Sequence, residues 1–219
     1  MPSLTIENYV KTIYLLCDGE PAQAAATGKV AAALDVSPGT VTSMLKTLKE
    51  TGLAEYTPYE GVRLTDAGRK LALRMLRRHR LIELFLVRTL NLSWDEVHEE
   101  AENMEHAVSD LLVDRIDEYL GYPATDPHGD PIPKADGTVA EAAAVSLASG
   151  QAGQNFAIER VLDQSAEFLR YLSEVGLSLG AVGQIVTHRP ESGVIMLDIG
   201  GTQTTLATSV AEKLLVHFH

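Results

Sequence analysis

The chain is poor in sulfur, in basic charge and in long apolar runs, and each shortage excludes a class of protein. A single cysteine, Cys17, rules out an intramolecular disulfide and leaves no thiolate set for a soft copper or iron–sulfur site. Its place within "YVKTIYLLC" predicts a packed helix position. No apolar run reaches the roughly 18 residues of a membrane span, and "MPSLTIENYVK" lacks a basic segment followed by an apolar block. The expectation is a cytoplasmic globular protein with no membrane partner. H-E-x-x-H, a P-loop, a phosphate-cradling glycine loop and a Ser-His-Asp order are also missing, so an enzyme is not the expectation.

The net charge of −12 argues at first against a nucleic-acid binder, which needs a basic footprint to displace counterions from phosphates. The charge is unevenly spread, however. Residues 1–80 hold eleven Lys or Arg against eight Asp or Glu, a net of +3, and leave −15 for residues 81–219. An acidic mean therefore does not veto a DNA-binding front end.

That front end has the punctuation of a winged helix-turn-helix. Ile6, Tyr9, Val10, Ile13, Tyr14 and Leu16 recur at helical spacing over about 5–17. "GKVAAALDV" and "SPGTVTSMLKTLKETG" read as two short helices about a turn, with Ser37 as N-cap, Pro38 in the first helical turn and Gly52 ending the second. "LAEYTP" and "GVRLTD" then form a hairpin. On the second helix Ser37, Pro38, Gly39, Thr40, Thr42 and Ser43 are small or polar and suit close approach to a groove, while Lys46, Lys49 and Arg63 are candidates for phosphate contacts.

A helical stretch from Thr65 to about Leu90 follows. A second long helix is expected from Ser93, capped by Ser93 with Glu96 three residues on. His79 and Glu83 lie four residues apart on the first. On the second, His98, Glu102 and His106 repeat at the same interval with Glu105 beside them, so all share one predicted stripe. Imidazoles with several carboxylates and no thiolate suit borderline-to-hard divalent ions such as Mn, Fe(II) or Zn. "GYPATDPHGDPIPKADG" can be neither helix nor central strand, "SLASGQAGQ" reads as a permissive linker, and the glycine-bounded, β-branched runs after it suggest a small barrel. The fold class expected is mainly α with small β, divided as 1–66, 67–147 and 148–219.

With these residues assembled, the chain resembles the diphtheria-toxin-repressor family of metal-dependent transcriptional regulators along nearly its full length. "ENYVKTIYLL", "VSPGTVTSMLKTLKETGL", "RRHRLIELFL" with "VHEEAENMEH", and "DPHGDPIP" carry the resemblance. It implies a winged-helix domain, an all-α dimerisation and metal-binding domain, and a C-terminal SH3-like (FeoA-like) barrel. It also implies an ancillary metal site at His79, Glu83 and His98 and a primary one at Glu102, Glu105 and His106, with Asn8 from the first helix. Iron-type members carry Cys at the position of Glu102 and Met at that of Asn8; manganese-type members resemble this chain in Glu at the former and use Asp at the latter. Asn8 departs from both, and Glu7 is the neighbour able to compensate. Gln164 and Glu167 fall near two further ligands that the barrel of some members supplies. The resemblance thus implies an Mn(II)-activated repressor, with Fe(II) or another divalent transition metal as the lesser choice. It would act as a homodimer on a palindromic double-stranded operator that controls metal uptake genes. Two alternatives stand beside it: a metal-dependent hydrolase with an accessory winged helix, and a winged-helix regulator indifferent to metal.

Overall fold

The computed structural model describes all of residues 1–219 except 1, 2, 18, 141 and 142. The chain divides into two compact units, residues 1–79 with 133–138, and residues 80–132 with 139–219.

In the first unit, α1 (Leu4–Leu16) is capped by Ser3, whose Oγ accepts the Ile6 N–H, and it buries Tyr9, Val10 and Ile13. α2 (Thr27–Ala33) and α3 (Pro38–Glu50) make the helix-turn-helix. The Ser37 hydroxyl accepts the Thr40 N–H and Pro38 opens α3, where its missing N–H costs nothing. Gly52, at φ +73°, turns the chain out of α3 into β1 (Ala54–Thr57), which pairs antiparallel with β2 (Gly61–Leu64). Val10, Ile13, Val30, Val41, Leu45, Leu48 and Val62 are fully buried in one core, and Cys17 belongs to it, as its helical context predicts.

α4 (Asp66–Leu90) begins beside Thr65, whose Oγ1 accepts the Gly68 N–H. The expected second long helix is broken in two. Ser93 and Glu96 do form the box, with the Ser93 N–H and Oγ–H both donating to Glu96 Oε2, yet regular helix starts only at Val97. α5 (Val97–Met104) is short, and α6 (Asp110–Tyr119) restarts under a new N-cap, Ser109. Apolar spacing continues across the break, so periodicity alone could not reveal it.

The C-terminal part is a six-stranded antiparallel sheet built from β3 (Val145–Ser146), β4 (Asn155–Val161), β5 (Val182–Arg189), β6 (Val194–Ile199), β7 (Thr202–Ala207) and β8 (Leu214–Phe218), in the order β3-β8-β4-β5-β6-β7. α7 (Ala166–Glu174) lies between β4 and β5, and the short α8 (Thr208–Ala211) between β7 and β8. The expected linker is structure instead: Leu147, inside "SLASGQAGQ", is fully buried in the sheet core with Phe156, Leu169 and Leu197.

Candidate metal centre

Burying an ionised side chain is costly unless it is paired, so the charged residues hidden in α4 mark a site. His79 is buried, and Glu83, one turn on along the same helix, is fully buried. The two Glu83 oxygens face different imidazoles. Oε1 lies 3.2 Å from Nδ1 of His98 on α5, and Oε2 lies 3.7 Å from Nδ1 of His128, in the loop after α6. Donor atoms of Glu83, Asp126 and His128, all buried, lie within 4.8 Å of one another.

The loop is folded about Asp126. Its Oδ1 accepts the N–H groups of His128 and Asp130 at 2.8 and 3.0 Å, which fixes the turn that buries both side chains. His128 Nε2 lies 2.7 Å from the Trp94 carbonyl, and the two rings stack with centroids 6.2 Å apart. Because a carbonyl only accepts, Nε2 carries a proton, and a neutral ring then presents the Nδ1 lone pair towards Glu83. Two electron-rich atoms so placed call for positive charge between them, a second proton or a metal ion. The titration of the group points the same way. Burial, then Asp130 and Glu83, push the Asp126 carboxyl up to about 7. Burial would hold the His128 imidazole down, but the Glu83 hydrogen bond and charge, followed by Asp126, outweigh it and raise its pKa.

A second constellation follows on α5 and the turn after it. Glu102 comes within 4.0 Å of His98, and a carboxylate oxygen of Glu102 lies within 4.8 Å of one from the fully buried Glu105. Glu105 Oε1 is 3.3 Å from His106 Nε2. The single stripe expected for His98, Glu102, Glu105 and His106 is corrected here. Only His98 and Glu102 sit in regular helix; Glu105 is the C-cap of α5 and His106 lies in the following turn, so the helix break itself aims the last two. In the first unit, the Asn8 carbonyl oxygen on α1 is buried with no hydrogen-bond partner among the described residues, a neutral oxygen donor of the kind a hard cation takes. These oxygen and imidazole donors fit a divalent ion of the manganese, iron or zinc type.

The remaining sequence candidates are placed as follows. Gln164 donates its amide N–H to Asp130 Oδ2 at 2.7 Å, and Glu167 is exposed in the first turn of α7 and belongs to no donor group among the described residues. On α3, Ser37, Pro38, Gly39, Thr40, Ser43, Lys46 and Lys49 are exposed and Thr42 is half-buried. Two of the expected phosphate cations are otherwise engaged: Lys49 Nζ donates to the Tyr56 carbonyl at 3.2 Å, and Arg63 Nε donates to the Ala22 carbonyl at 2.9 Å. Sequence reasoning missed Asp126 and His128. The only signal was the polar motif "DPHGDPIP" itself, which composition assigns to the surface.

Comparison with known proteins divides the chain into three. Residues 1–62 match the iron dependent repressor N-terminal DNA binding domain, 65–134 its metal binding and dimerisation domain, and 145–217 the FeoA domain. The iron-dependent repressor IdeR of Mycobacterium leprae is 30% identical over 225 residues, covering 97% of this chain and 96% of its own. IdeR of Mycobacterium tuberculosis is 37% identical over 129 residues, and that match spans about half of it, 55%. A solved manganese-dependent transcriptional repressor in complex with manganese superposes with a TM-score of 0.87 at 39% identity, over 96% of this chain and 98% of that one. ScaR with bound Zn2+ gives 0.81 at 33% identity, over 99% of each.

Proposed function

The chain belongs to the iron-dependent repressor family of metal-dependent, DNA-binding transcriptional regulators, and from that premise we propose that it is an Mn(II)-activated repressor acting as a homodimer on a palindromic operator. The family consists of repressors rather than enzymes, which removes the hydrolase alternative. The observation that carries the choice of metal is the chemistry of the donors: Glu83 between two imidazoles, and Glu102, Glu105 and His106, with oxygen where a softer ion would favour sulfur. That one structural neighbour is described as a manganese complex supports it.

We assign cation binding to two sets. Glu102, Glu105 and His106 form one, to which the family resemblance adds Asn8. Glu83 anchors the other, with His79 and His98 on one side and Asp126 and His128 on the other. A divalent ion bound there is held by carboxylate oxygens and imidazole nitrogens. The residues then select the arrangement of the DNA-binding domains that fits two successive major grooves, which is how differential affinity becomes a switch. On α3, Gly39, Thr40 and Ser43 lie where base edges are read, and Lys46 reaches a phosphate. Leu111, Leu112 and Tyr119 leave an exposed apolar face on α6 that supports self-association. The domain division proposed is 1–66, 67–147 and 148–219. Among the described residues no helix is long and apolar enough to cross a membrane; we place the protein in the cytoplasm on the ground of its DNA target.

The test is retardation of a palindromic promoter fragment by the purified chain under Mn(II), Fe(II) or Zn(II), and again after a strong chelator. Mn(II) is expected to activate at the lowest free concentration. A shift indifferent to chelator would overturn the reading.

A further inference from the structure

The irregularity in β4 has a partner outside the sheet. Between Ile158 and Arg160 the register of β4 against β8 slips, so Glu159 stands out of the ladder. Its carbonyl meets Gly129, which has φ +88° and where a Cβ would overlap the Glu159 oxygen; only glycine permits this approach. The next residue, Arg160, forms an ion pair with Asp130 Oδ1. Gln164 holds the other oxygen of the same carboxylate, and from α4 Arg80 reaches it at 3.4 Å while donating to the Pro131 carbonyl at 2.6 Å. The Val161 N–H donates to the His128 carbonyl at 2.9 Å. The loop that carries Asp126 and His128 is therefore gripped at His128, Gly129 and Asp130 by one short stretch of the C-terminal sheet.

We propose that Arg160, acting through Asp130, is a positioning residue: it holds Asp126 and His128 in register with Glu83, so that docking of the C-terminal sheet sets the cation affinity of that group. Arg160 touches no ligand atom of the group. It fixes the Asp130 carboxylate, Asp130 and His128 offer their N–H groups to Asp126 Oδ1, and that pair of hydrogen bonds fixes the Asp126 and His128 side chains against Glu83. Gln164 assists by the same route, which gives it a role without making it a ligand. Outer partners of this kind typically change metal affinity by about 10–100-fold.

The inference rests on reading Glu83, Asp126 and His128 as cation ligands, and the experiment separates the two. The full chain is titrated calorimetrically with Mn(II), with metal content checked by elemental analysis, for the wild type, His128→Gln, Arg160→Gln, Arg160→Lys and Asp130→Asn; circular dichroism and melting monitor the fold. His128→Gln identifies the binding event that belongs to the group by abolishing it. Arg160→Gln and Asp130→Asn are each expected to weaken that same event at least about tenfold and to leave any other event unchanged, and Arg160→Lys to recover most of the loss. If His128→Gln removes no binding event, the ligand assignment fails and the inference with it. If it does, but Arg160→Gln and Asp130→Asn stay within twofold of the wild type or weaken every event alike, the positioning role alone is overturned.

Discussion

α3 and α4 handle their polar side chains in opposite ways. Along α3 the apolar residues Val41, Leu45 and Leu48 are buried, while Gly39, Thr40, Ser43 and Lys46 are exposed, the ordinary amphipathic arrangement. Along α4, Arg77, Arg78, His79, Arg80 and Glu83 are themselves buried among apolar neighbours. The first helix hides its apolar side and leaves exposed the polar side proposed above to read DNA. The second unit gathers buried carboxylates and imidazoles, the donors proposed above to hold a cation. The contrast separates a reader, whose changes should alter DNA affinity alone, from a sensor, whose changes should alter metal binding, stability and its dependence on pH.

The largest effect is expected at the sensor. Replacing Glu105 by Gln together with His106 by Asn should abolish Mn(II)-dependent retardation of operator DNA, a loss of more than about 100-fold in the metal-activated affinity, with the far-ultraviolet circular dichroism kept. Retained activation would erase the contrast. Next in size is removal of the metal. A ligand at about 100 times its dissociation constant adds about 2.7 kcal/mol, so chelation should lower the melting temperature by about 5–10 °C in a chain of this size.

The remaining apo stability should depend on pH in a defined sense. The Asp126 carboxyl titrates at about 7 in the folded chain, above its ordinary 3.8, so the folded state holds a proton that the unfolded state has lost. His128 is raised as well. Both contribute stability at low pH that disappears as pH rises through the folded values. The chelated protein should therefore melt higher at about pH 5.5 than at about pH 7.5, and saturating Mn(II) should reverse the order because metal displaces those protons. Calorimetric melts at the two pH values decide it; a chelated chain that is more stable at the higher pH would contradict the assignment.

At the reader the effects are smaller. Lys46→Ala should weaken DNA binding uniformly and reduce the salt slope by about one, whereas Lys49→Ala, whose ammonium already donates to the Tyr56 carbonyl, should leave the slope nearly unchanged. Titrations at several salt concentrations measure both, and equal slopes for the two variants would undo the distinction. Smallest is Ser37→Ala, which removes the α3 cap and should cost about 1 kcal/mol of stability in a denaturant melt.

Local chemistry explains what could be read from the residues alone. The Ser37–Pro38 start of α3, the Gly52 exit and the β1–β2 hairpin are each decided within a few residues by capping, proline and glycine conformation. The donors His79, Glu83, His98 and Glu102 lie on helices, where spacing carries information. The break between α5 and α6 escaped because Met104, Val108, Leu111 and Leu112 keep an apolar rhythm through it, while Ser109 caps locally. Asp126 and His128 escaped for a deeper reason: an aspartate and a histidine among prolines and glycines look like surface, and their burial comes from Trp94, Glu83 and β4, which are distant in sequence.

Trp94 is the chain's sole tryptophan. Its carbonyl accepts from His128, its ring stacks on that imidazole, and its indole N–H donates to Ser173. The molecule thus contains a built-in optical reporter: because the one indole fluorophore lies against His128, binding of the proposed cation is expected to change its emission, which times the event without attaching a dye.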